Sequence, residues 1–194
     1  MQKIRPLSSH LQCGLNPYDV MPFPIQTLCI ATFAPKTPVL RLYPDHTVKI
    51  NDRKILDKAY PVHSRFLLMW KDKHVICCRI DHGRTGKQCI LMDTCSTECP
   101  DGSSDLVDFI RCSEKLPMHI RNANLDIFCD QQRQRSGGCT VMSIINATTK
   151  TGEQFSSVSE GEGLRIAFAM RYSQMTEEDK RLLAFQWEDA FSII

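Results

Sequence analysis

Two apolar runs flanking a short polar turn constrain this chain more than any other feature. His74-Val75-Ile76-Cys77-Cys78-Arg79-Ile80 and Gln88-Cys89-Ile90-Leu91-Met92-Asp93 enclose Asp81-His82-Gly83-Arg84-Thr85-Gly86-Lys87, a pattern that predicts a β-hairpin. The preceding Phe66-Leu67-Leu68-Met69-Trp70 reads as a further, buried strand. Gly-x-x-Gly-Lys inside the turn lacks the full P-loop spacing and its following Ser or Thr, so it is turn chemistry and not a phosphate cradle. With a two-residue turn at Gly83 and Arg84, positions whose numbers total 167 oppose one another, and His74 faces Asp93. Directly opposed residues project from one sheet face with Cβ atoms about 5 Å apart. A carboxylate so placed can bind the imidazole, fix its tautomer and stabilise it when protonated.

The chain before the hairpin is proline-rich. Residues 1–44 hold seven of the ten prolines, which argues against long helices there. One short strand, Thr27–Phe33, is expected in an otherwise wrapping segment, with a strand and a short helix over 47–60. After the hairpin, Ser103 or Ser104 caps a helix running through Asp105–Cys112, with Asp105 and Asp108 near its positive end. A strand is expected around Ala123–Cys129. Gly163–Met170 reads as helical, and Thr176 with Asp179 resembles a capping box. Leu183, Trp187, Ala190, Phe191 and Ile194 follow at helical spacing as a core-facing stripe.

Between the 123–129 strand and the C-terminal helices lies Gln131-Gln132-Arg133-Gln134-Arg135-Ser136-Gly137-Gly138-Cys139-Thr140. Two glycines, free to take positive φ and to let a ligand approach the backbone, precede a single cysteine. If 139–149 is a helix, the Cys139 sulfur sits at its positive end, where unsatisfied N–H groups favour thiolate. A glutamine upstream, Gln132 or Gln134, could donate to a developing oxyanion. The competing reading is a structural cysteine opening a core element. Thr140, Val141, Ile144 and Ile145 are β-branched and lean away from a helix.

Composition bounds the function. A length of 194 residues predicts one domain: a proline-rich wrap (1–64), a catalytic core (65–150) and C-terminal helices (151–194). A net charge of +2, from 24 basic and 22 acidic side chains, makes no electrostatic case for nucleic acid or an anionic membrane. No apolar run approaches the ~18 residues of a membrane span. No signal peptide is visible behind Met1-Gln2-Lys3-Ile4-Arg5-Pro6. The ten cysteines are therefore expected to be reduced thiols of an intracellular, cytoplasmic protein.

A histidine opening one strand, an acid closing the next and a cysteine at a helix start form a thiol nucleophile system of general base, orienting acid and sulfur. The order His74, Asp93, Cys139 resembles the clan CE cysteine enzymes: the ubiquitin-like-protein proteases, the adenovirus-type proteases and the YopJ family of bacterial effectors. The YopJ-like pattern is similar in having an acid 19 residues after the histidine and a Gln-Arg run before the cysteine. Several positions depart from it. Gly138 precedes the cysteine and Thr140 follows it, where the family commonly has an acid or serine and then glycine. Arg133 holds the family's glutamine position, and Val75 stands where an aromatic often follows the histidine.

The resemblance implies an α+β papain-like fold, a central mostly antiparallel sheet flanked by helices with the nucleophile at a helix N-terminus. It implies catalysis by Cys139, His74 and Asp93, with Gln132 or Gln134 at the oxyanion. The expected activity is a cysteine protease or isopeptidase acting on a protein substrate, including ubiquitin-like conjugates, with no cofactor. The alternative is a YopJ-like acetyltransferase using acetyl-CoA, activated by inositol hexakisphosphate and acting in a host cytosol after delivery. The 55 residues after Cys139 favour the hydrolase. A third reading is a zinc-binding interaction module built from Cys95, Cys99 and Cys112, His119 or Cys129, and a fourth is a degenerate triad kept for binding.

Overall fold

The computed structural model describes residues 21–94, 104–127, 138–149 and 155–194. They form an α+β structure around a mixed seven-stranded sheet. Its strands in chain order are β1 (Val39–Leu42), β2 (Val48–Ile50), β3 (Arg65–Trp70), β4 (His74–Gly83), β5 (Gly86–Asp93), β6 (Ala123–Ile127) and β7 (Ser192–Ile193). Across the sheet they run β6-β5-β4-β3-β1-β2-β7. The β5–β6 and β1–β3 pairs are parallel and the other four are antiparallel.

All six residues of β3 are buried, because helices cover both faces of the sheet. That double coverage makes the run continuously apolar rather than alternating. Phe66, Leu68 and Trp70 join Ile76, Cys78 and Leu91 against Leu106, Val107 and Ile110 of α2 (Ser104–Cys112) and Ile120 of α3 (Met118–Arg121). Leu67 and Met69 join Val75 on the other face. That second core is closed by α1 (Phe23–Phe33), α4 (Cys139–Thr148), α5 (Val158–Gln174) and α6 (Glu177–Asp189), through Ile30, Val141, Ile144, Phe168 and Trp187. Gly161 of α5 seats against Met142 of α4, where a Cβ would collide with the methionine side chain.

Two expectations fail, each for a physical reason. Thr27–Phe33 belongs to the helix α1 and not to a strand. Pro22 is its N-cap and Pro24 lies in its first turn, where no intrahelical N–H is needed, and the helix stops before Pro35. A short, fully apolar run is ambiguous between buried strand and buried helix. The stripe through Ile194 also breaks. The capping box of Thr176 and Asp179 forms as expected, but α6 ends at Asp189. Ser192–Ile193 then pairs with β2, and the Ile194 N–H bonds the Val48 carbonyl at 3.0 Å.

Arg41 on β1 ties this terminus to the sheet. Only 2% exposed, it donates to both Glu188 carboxylate oxygens at 2.8 and 3.0 Å and lies 3.4 Å from Asp72. The rings of Phe23, Tyr43 and Phe191 pack around its guanidinium at 4.8–5.8 Å. No described helix is long and apolar enough to cross a membrane.

Candidate active site

The hairpin β4–β5 turns at Arg84 and Thr85, flanked by Gly83 opposite Gly86. Gly86 has φ +123°, a conformation that side chains with a Cβ rarely adopt. Cys77 therefore opposes Met92, so opposed numbers total 169 and the expected register of 167 is shifted by two. A shift of two keeps every side chain on its face, whereas a shift of one would have reversed them all. Asp93 is thus a diagonal and not a direct neighbour of His74, still within reach of a long side chain. The His74 Nε2 lies 3.2 Å from Asp93 Oδ1, and both residues are 4% exposed.

Cys139 is the first residue of α4. The helix forms despite its β-branched residues because Cys139 through Asn146 are all buried and packing outweighs propensity. Gly138 has φ −82°, so its glycine identity is not needed for a left-handed conformation, contrary to expectation. It supplies no side-chain cap, and the first turn holds no acidic residue. Among the described residues, the partial positive charge of the helix end is therefore left for the sulfur or a ligand.

Burial pushes the Cys139 thiol pKa up, but the opposing influences win. A hydrogen bond with His74, the His74 charge, a backbone hydrogen bond at Val75 and the Thr140 hydroxyl together hold it below the ordinary thiol value. Three other buried thiols behave oppositely: burial drives Cys77 up to about 12 and raises Cys29 and Cys78 as well.

The helix is bolted to β4 beside this contact. Ser143, one turn after Cys139 and on the same helix face, donates from Oγ to the Val75 carbonyl at 2.9 Å. The β4–β5 ladder ends at Cys77–Met92, short of Val75, and α4 engages the Val75 main chain instead. At the other end of α4, an Arg65 guanidinium N–H donates to the Asn146 carbonyl, which suits the negative helix end. The Asn146 Oδ1 accepts from the Ser156 N–H and anchors the segment leading into α5.

His74, Asp93 and Cys139 thus come together. Gln132 and Gln134 lie outside the described residues, as do Cys95, Cys99 and Cys129. Of the remaining zinc candidates, Cys112 is exposed on α2, while His119 is buried with its Nε2 2.7 Å from the Ile55 carbonyl oxygen. Among the described residues, no three His, Cys, Asp or Glu side chains converge to hold a metal ion. Ser143, Val75 and Thr140 are the contributors that sequence reasoning did not single out. Ser143 carried one usable signal, its four-residue spacing from Cys139. No protein-family model matches the chain, and no curated protein matches it significantly.

Proposed function

We propose that this protein is a cysteine hydrolase that cleaves a peptide or isopeptide bond through Cys139, His74 and Asp93. One observation carries the reading: a buried thiol at an uncapped helix N-terminus is hydrogen-bonded to a histidine whose other side meets a buried carboxylate. With Nε2 engaged by Asp93, the ring nitrogen left for the sulfur is Nδ1. Asp93 fixes that tautomer and stabilises the imidazolium, so a thiolate–imidazolium pair is the resting nucleophile.

In this reading the thiolate attacks the scissile carbonyl, and His74 gives its Nδ1 proton to the departing amine. A thioester remains on Cys139. His74 then removes a proton from water as the water attacks that thioester, releasing the acid and restoring the thiolate–imidazolium pair. The oxyanion is held by N–H groups at the start of α4, joined by Gln132 or Gln134 if the resemblance to clan CE extends that far. The chain order His, Asp, Cys and the strand–strand–helix origin of the three groups support a papain-like fold of the clan CE type.

The acetyltransferase alternative uses the same three residues and differs in the acyl group that reaches sulfur. Intact-mass measurement separates them. A ubiquitin-like protein bearing a C-terminal electrophile should form a covalent adduct at Cys139, while acetyl-CoA should leave no stable gain of about 42 Da, the mass of one acetyl thioester. An acetyl mark without a probe adduct would replace the hydrolase by the transferase, and neither mark would support a triad kept for binding.

A further inference from the structure

A second polar site lies at the opposite end of the hairpin. Around the Arg84–Thr85 turn, the ends of β4 and β5, the chain through α3 and the start of β6 enclose an open cleft of about 650 Å³. Arg84, Arg111 and Arg121 line it with His82, Asn124 and Met118, and among the described residues no carboxylate contributes to its wall. Among the described residues, the one carboxylate within 4.0 Å of these guanidinium groups is that of Asp108, itself 83% exposed. Three positive charges converge on a chain whose total is only +2.

Two of the three guanidinium groups are held in place before any ligand arrives. Arg111 donates to the Ala123 carbonyl at 2.7 and 3.1 Å, and Arg121 donates to the Arg111 carbonyl at 3.3 Å. These bonds go to neutral acceptors, so they orient the forks without cancelling their charge, and the exposed Asp108 beside Arg111 is the one counter-charge among the described residues. Asn124 donates to Gln88 Oε1 at 2.7 Å, fixing the amide floor between them. Met118, 62% exposed, adds an apolar contact at the rim. Planar, oriented cations beside amides and one exposed thioether suit carboxylates interspersed with an apolar residue.

We infer that this cleft binds an acidic peptide segment of the protein substrate. The inference rests on the hydrolase reading for the identity of the partner, although the binding itself does not. β4 runs from His74 at the candidate active site to Gly83 at the cleft, about 30 Å at 3.3 Å per residue. A small anion cannot reach both places, whereas a protein with an acidic surface segment can. Binding there would dock the substrate while its scissile bond lies at Cys139.

Fluorescence anisotropy with a labelled hexaglutamate peptide tests this on the full chain, with hexaglutamine as the neutral counterpart. Arg84→Glu is the informative variant, because Arg84 is exposed in the turn and reversal leaves the other two guanidinium bonds in place. Lys36→Glu, an exposed position elsewhere, makes the same change in net charge. Hexaglutamate should bind the wild type and Lys36→Glu alike and bind Arg84→Glu about tenfold or more weakly, as expected for a lost charge-assisted contact. Hexaglutamine should not bind. Circular dichroism should show the same fold in all three proteins.

Equal weakening by Lys36→Glu, an unchanged affinity in Arg84→Glu, or no hexaglutamate binding at all would overturn the inference. Displacement of the peptide by an equal concentration of inorganic phosphate would also overturn it, because the cleft would then be a simple anion site. The hydrolase reading fails separately. Cys139 inert to the electrophilic probe, with hexaglutamate binding still dependent on Arg84, would contradict the hydrolase and leave the acidic-ligand cleft standing.

Discussion

The Ser143 hydroxyl donates to the Val75 carbonyl at 2.9 Å, and this bond fixes the N-terminal half of α4 against the strand residue that follows His74. Cys139 lies one turn earlier on the same helix, so the sulfur and the imidazole are positioned through a main-chain anchor. Ser143→Ala removes the donor and leaves a buried carbonyl unpaired. It should cost about 1–2 kcal/mol of stability. It should also raise the Cys139 pKa, because the thiol drifts from His74 while its burial remains. The pH dependence of Cys139 alkylation reads the second effect apart from the first. A lower melting temperature with an unchanged alkylation profile would make Ser143 a packing residue only.

Asp93→Asn preserves shape and removes the charge that holds the His74 ring. An analogous change in a Ser-His-Asp hydrolase costs about 10⁴-fold in turnover. A loss of at least about 10²-fold is expected here in the rate of adduct formation with a C-terminal electrophile, with the circular dichroism unchanged. Near-normal reactivity would reduce Asp93 to a strand-end carboxylate.

Arg41 should be the most sensitive charged residue for stability. Its guanidinium meets two carboxylates and three aromatic rings while almost fully buried. Arg41→Ala should destabilise by about 3 kcal/mol, toward the lower end of the range for breaking a buried pair because Glu188 is half-exposed. Arg41→Lys should restore little of this, since an ammonium cannot reproduce the paired contact with Glu188 or the stacking on the rings. Urea unfolding of the three proteins measures both effects.

The hairpin was legible in the sequence because apolar runs bounded by glycines constrain a chain locally. Its register was not, because Gly83 and Gly86 both mark the turn and only the three-dimensional ladder selects Arg84–Thr85 between them. The His74–Asp93 pair survived that error because parity, and not direct opposition, decides which side chains share a face. The α1 helix was hidden by prolines that sit where a helix tolerates them. The departure of Ser192–Ile193 from the helical stripe depends on the distant edge of β2, which no local pattern encodes. Cys139 stood out by its glycine flank, whereas Ser143 acquires its role only when α4 is laid against Val75.

The central claim is that His74 makes Cys139 a thiolate in spite of burial. Iodoacetamide alkylation of Cys139, followed residue by residue by mass spectrometry across pH 5–10, tests it most directly, with exposed Cys112 as the reference within the same chain. The thiolate is the reactive form, so the rate should stay high as pH falls through the ordinary thiol value of about 8.5 and decline only at lower pH. In His74→Ala the hydrogen bond and the positive charge are both gone while burial remains, so the inflection should move to higher pH. A wild-type inflection at or above about 8.5, or one that His74→Ala leaves in place, would contradict the account.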